Sequence, residues 1–128
     1  MSKQTQVLEA LRASIDALRC YAGVTYGALP PGGGLSMAVA GGRALTVTLG
    51  NDKTLALDVT LNASHANQNV AMDTLSRIHE AMNSLTPLPQ GEGWQVIALR
   101  TANAPACADR QGERWLYTSM LTVEYAIE

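Results

Sequence analysis

Residues 54–85, TLALDVTLNASHANQNVAMDTLSRIHEAMNSL, change their hydrophobic period in mid-run. Leu55, Leu57, Val59 and Leu61 alternate with Thr54, Ala56, Asp58 and Thr60, the period of a strand with one buried face. From Ala71 the spacing becomes three to four: Ala71, Leu75, Ile78, Met82 and Leu85 form one stripe, while Asp73, Arg77 and Glu80 fall away from it. That spacing predicts a helix over about 67–85, capped by Ser64 or Asn67 and stopped by Pro87 and Pro89. A strand and a helix joined this closely must share one apolar layer, which requires a sheet with helices laid on it.

The remaining segments extend that plan. Leu8, Leu11, Ile15 and Leu18 predict a helix over 3–21 that ends near Gly23, with Arg12, Asp16 and Arg19 on its wet side. Residues 27–34 are too rich in Pro and Gly for regular structure and read as a flexible loop. Leu35, Met37 and Val39 predict a strand that Gly41-Gly42 breaks; Leu45, Val47 and Leu49 predict the next, closed by a hairpin signal at Gly50-Asn51-Asp52-Lys53. Beyond the second helix a strand is predicted from Trp94 to Thr101, residues 102–114 as loop, and a last strand from Trp115 to the end. The expected fold is one α+β domain over residues 1–128. It has a mostly antiparallel sheet of about five strands and two helices on one face, in the order α-β-β-β-α-β-β.

A chain of 128 residues can bury a core without metal or disulfides. It has no Phe, which leaves Trp94 and Trp115 as the large core anchors. A net charge of −2, with basic residues scattered, argues against a protein built to hold nucleic-acid backbone. Cys20 and Cys107 read as reduced thiols. The charged, periodic start is unlike a signal peptide, and no apolar run nears the roughly 20 residues that cross a bilayer; a cytoplasmic chain with no membrane partner is expected.

No constellation for chemistry emerges. His65 and His79 are the only histidines, one between strand and helix, one beside the helical stripe, and neither has the close His or Cys partners of a metal site. Cys107 lies beside Asp109 and Arg110 without a positioned base. Gly32-Gly33-Gly34 lacks the Lys and the following helix of a phosphate loop. We therefore expect no enzyme, cofactor or metal. Two polar features remain as surfaces on which another subunit could sit. One is the outer sheet face with Asp58 and Thr60; the other is the charged segment Asp109, Arg110, Glu113 and Arg114. Plain solvation is the competing reading of both.

The segment DVTLNASHANQNVAMDTLSRIHEAM and the closing PACADRQGERWLYTSMLTVEY resemble the tail terminator or tail completion proteins of long-tailed, non-contractile phages, often called minor capsid proteins. The resemblance spans roughly residues 35–128. It implies a virion structural protein that forms a sixfold homo-oligomeric ring on the head-proximal end of the tail tube. Its implied partners are further copies of itself, the major tail tube protein and a head completion or connector protein. It also implies assembly in the host bacterial cytoplasm and carries over no catalytic residue. A neighbouring head completion protein, an adaptor outside phages and a small-molecule-binding α+β domain are the alternatives.

Overall fold

The computed structural model describes residues 2–47 and 52–128, in the order α1 (Lys3–Asp16), β1 (Val24–Tyr26), β2 (Gly34–Val47), β3 (Lys53–His65), α2 (Gln68–Asn83), β4 (Gln90–Gly91), β5 (Trp94–Gln111) and β6 (Arg114–Ile127). The expected turn at Gly50-Asn51 and the strand end at Leu49 lie outside the described residues. The strands form one mixed sheet, β1-β2-β3-β6-β5-β4, in which only the β1–β2 pair is parallel. The expected fold class holds: an α+β chain with a mostly antiparallel sheet and two helices. No helix among the described residues is long and apolar enough to cross a membrane.

β3 and β6 form the centre because both alternate without interruption. They pair from Lys53↔Ile127 to His65↔Trp115, and Leu57, Val59, Leu61, Leu121, Val123 and Tyr125 enter the core. Helix α2 lays Ala71, Leu75, Ile78 and Met82 on this layer, and α1 adds Val7, Leu11 and Ile15. Each fully buried side chain of this kind contributes roughly 1.5–3 kcal/mol relative to exposure. Asn67 supplies the α2 cap, its side chain accepting from the Asn69 N–H at 2.9 Å. Ser2 caps α1 by accepting from the Thr5 N–H at 3.1 Å.

Four expectations are corrected. Helix α1 stops at Asp16, short of the expected residue 21. There the Asp16 carboxylate accepts from the Val24 N–H at 2.9 Å, turning the chain back, and Arg19 takes a left-handed φ of 53°. Gly41-Gly42 does not break a strand: residues 34–47 are continuous, and the ladder absorbs one extra residue as a bulge after Val39. Gly42 packs closely on β3: a Cβ there would lie 3.0 Å from a Leu57 methyl group, which would have to shift to admit it. Residues 102–111 are not loop but the outer half of β5, paired to β6 as far as Gln111↔Arg114. Their mixed polarity hid them, because that half lies outside the core and its residues are mostly exposed. Trp115 is half-buried rather than a core anchor, and carries the Arg110 guanidinium over its ring at 4.7 Å. The short strands β1 and β4 were not expected.

The 27–34 segment is tied at both ends. Gly27 N–H donates to Met37 O at 2.8 Å, and Gly33 N–H to Pro30 O at 3.1 Å. Gly33 has φ +94°, and a Cβ there would stand 2.5 Å from the Arg114 guanidinium. Tyr21 closes this corner by donating to the carbonyls of Gly34 and Ser64, with its ring edge-on to His65.

Candidate functional site

The face of the sheet away from the helices bears small and polar side chains held by a short chain of contacts. On β3, Asp58 accepts from Thr122 Oγ1 at 2.8 Å and from Arg43 Nη1 at 3.1 Å. One rung further along β6, Arg100 pairs with Glu124 at 3.6 Å. Asn62 donates to Ser36 Oγ at 3.3 Å. The two ion pairs neutralise each other's surroundings, so this face presents no strong charge of either sign.

Thr60 sits opposite Ala38 on β2 and Met120 on β6. It borders a notch of about 390 Å³ lined also by Asn103, Ala104, Ala106, Thr118, Ser119 and Met120. The notch exists because β5 is irregular here. Its register jumps between Asn103 and Ala106, and Pro105 has no N–H to give a ladder.

The charged segment predicted from sequence forms the tip of the β5–β6 hairpin. Asp109 accepts from the Arg110 N–H at 2.7 Å, Arg110 lies on Trp115, and Arg114 packs beside Gly33; Glu113 is exposed at the turn. Asp58 and Thr60 are not brought to this tip. Asp58 is level with Thr122 and Asp109 with Leu116, a separation along β6 of about 20 Å at 3.3–3.4 Å per residue. The sequence candidates thus occupy two places, the middle of the open face and one end of the sheet.

The sequence places His79 beside the helical stripe; in the fold it is buried at 4% exposure. Its Nδ1 is 2.9 Å from Thr101 Oγ1 and its Nε2 is 2.7 Å from Ser119 Oγ, and Asn83 donates to the same Thr101 hydroxyl. Burial lowers its pKa below the ordinary 6.5. Ser119 and His79 have the spacing of a nucleophile and base, but the far nitrogen faces a neutral hydroxyl and Ser119 is 3% exposed. The group works as a clamp: it ties α2 to both β5 and β6, and among the described residues no buried side-chain nitrogen or oxygen is left unpaired. Among the described residues no three His, Cys, Asp or Glu side chains gather as metal ligands would.

The sheet also has two open edges that sequence reading missed. β1 covers only Leu35–Met37 of β2, and β4 covers only Trp94 and Gln95 of β5. Beyond those residues β2 and β5 each have one strand neighbour among the described residues. Val39, Leu45 and Ile97 are exposed along them at 39%, 43% and 43%. The signal was present as apolar residues beside the glycines and in the outer strand, but alternation alone does not say which strand ends the sheet.

A chain in the solved virion of a native gene transfer agent particle has the same fold. The TM-score is 0.59 with 16% sequence identity, over 94% of this chain and 91% of that one. At that identity the likeness is one of fold. No family model and no curated protein matches the sequence.

Proposed function

We propose that this chain is a structural protein of a phage-type virion that acts by assembly and not by turnover. In this reading it forms a homo-oligomeric ring, a hexamer, that ends the tail tube and offers a joining surface to the head. The observation that carries it is the match of nearly the whole chain to a component of a phage-like particle. The sheet supports it. Two different open edges on opposite sides suit a heterologous contact, in which one patch meets another and rotation closes a ring.

Native mass spectrometry over a wide concentration range tests the reading. A discrete hexamer that grows in with concentration is expected, and addition of the major tail tube protein should stabilise it. A monomer at every concentration, unchanged by tail tube protein or by a head connector protein, overturns it.

A further inference from the structure

The two open edges match in direction, and each carries a local feature that the other can receive. From β2 through β3, β6 and β5 each strand runs opposite to its neighbour. A second copy that places its β2 beside β5 therefore continues the antiparallel alternation. β1 blocks β2 up to Met37 and β4 blocks β5 up to Gln95, so the free stretches are Ala38–Val47 and Ile97–Gln111.

Each free stretch is interrupted by bulges that put one extra residue into the edge strand, and the two bulges have different consequences. On β2 the register skips from Ala44 to Thr46, leaving Leu45 without a residue opposite it on β3 and 43% exposed. On β5 the register skips from Asn103 to Ala106, opening the apolar notch bordered by Ala104, Ala106 and Met120. Its 390 Å³ is many times the roughly 30 Å³ share of a water molecule, and it has room for an aliphatic side chain.

We infer that Leu45 of one copy seats in the β5 notch of a second copy of this chain, with Arg43 set against that neighbour's Asp109. This contact rests on the ring reading and names its interface. Charge chooses the register. Arg43 is the only charged residue in Ala38–Val47; Ile97–Gln111 holds one carboxylate, Asp109, and two arginines, Arg100 and Arg110, the second lying over the Trp115 ring. In an antiparallel pair with Leu45 at the notch, the step from Leu45 back to Arg43 runs toward Cys107 and Asp109. Seating Val39 instead would bring Arg43 toward Arg100, like against like. Arg43 already bonds Asp58 through Nη1, but its planar fork has further N–H groups for a second carboxylate. An exposed ion pair adds little affinity, yet it fixes register and penalises the wrong one.

Two sets of variants of the full chain test the contact. With Cys20 and Cys107 changed to serine, Leu45→Cys and Ala106→Cys are combined in one chain and mildly oxidised. Disulfide-linked oligomers closing at one size are expected. Separately, Leu45→Asp should raise the concentration for half-assembly by roughly tenfold or more, since it seats an unpaired charge in an apolar notch. Arg43→Glu should weaken assembly, and adding Asp109→Arg to it should restore it. Thermal melts check that each variant stays folded. Normal assembly without cross-linking, indifferent to Leu45→Asp, overturns this contact and leaves the ring reading standing. A cross-linked ladder that never closes upholds the contact and overturns the ring. No oligomer and no cross-link at any concentration, with tail tube protein and head connector protein each added, overturns both.

Discussion

Acid should loosen the His79 clamp, and the size of the effect follows from its geometry. His79 is neutral in the fold, with one ring nitrogen on Thr101 and the other on Ser119. Removing it as His79→Ala loses two hydrogen bonds, about 0.5–1.5 kcal/mol each, and strands a buried Ser119 hydroxyl at about 1–3 kcal/mol. A total cost of about 2–6 kcal/mol is expected. The pH dependence has a definite sign. The folded pKa lies below the ordinary 6.5 because burial disfavours the imidazolium. The unfolded chain therefore binds the proton more readily, and stability is lost as pH falls from about 6.5 toward the folded value. The slope cannot exceed about 1.36 kcal/mol per pH unit for one proton. Urea unfolding at pH 7.5, 6.5, 5.5 and 4.5 should show wild type losing stability faster than His79→Gln, because carboxylates elsewhere titrate alike in both. Parallel curves between pH 7 and pH 5 would refute the reasoning.

Four further substitutions probe the core and the corner at Gly33. Leu57→Ala, at a site 4% exposed, should lower unfolding stability by about 2–5 kcal/mol in urea melts; Trp115→Ala, half-buried, should cost less than Leu57→Ala. Gly33→Ala should cost about 1–2 kcal/mol for its left-handed φ, plus the displacement of Arg114. Gly27→Ala has a similar φ of +81° in open space, so thermal melts should show Gly33→Ala as the more damaging of the two.

What the sequence made legible was the part whose residues answer to one core. β3, α2 and the inner half of β6 each keep a single period because each buries one face against the same layer. The outer half of β5 pairs with β6 but buries no face in the core. Its residues are mostly exposed, its ladder jumps at three places between Thr101 and Asp109, and Pro105 forbids a regular edge, so no period survives for a reader to find. The Gly41-Gly42 pair failed differently, since glycine both ends strands and lets one strand approach another. Only the position of the Leu57 methyl group against Gly42 shows which applies here. Asp58 and Thr60 were found because they alternate with core residues; the notch that Thr60 borders was not, since it needs β5 beside β6.

The illegible parts fall where a partner would touch. A long edge strand with an exposed Ile97 invites uncontrolled pairing unless something blunts it. On β5 the blunting comes from bulges and a proline, and on β2 from bulges and an arginine. Those devices do not abolish pairing. They admit only a partner whose own irregularities fit, and in a ring of identical chains that partner carries the same sequence. In the contact inferred above, Leu45, Arg43, Pro105 and Asp109 would answer to a neighbouring copy and not to the core, so core periodicity would carry no trace of them. It also follows that Leu45→Ala and Leu57→Ala should separate cleanly: the first should weaken assembly while leaving the melting temperature of the monomer in place, the second should lower that temperature first. If Leu45→Ala instead destabilised the isolated chain as much as Leu57→Ala does, β2 would be serving its own fold and not a neighbour's.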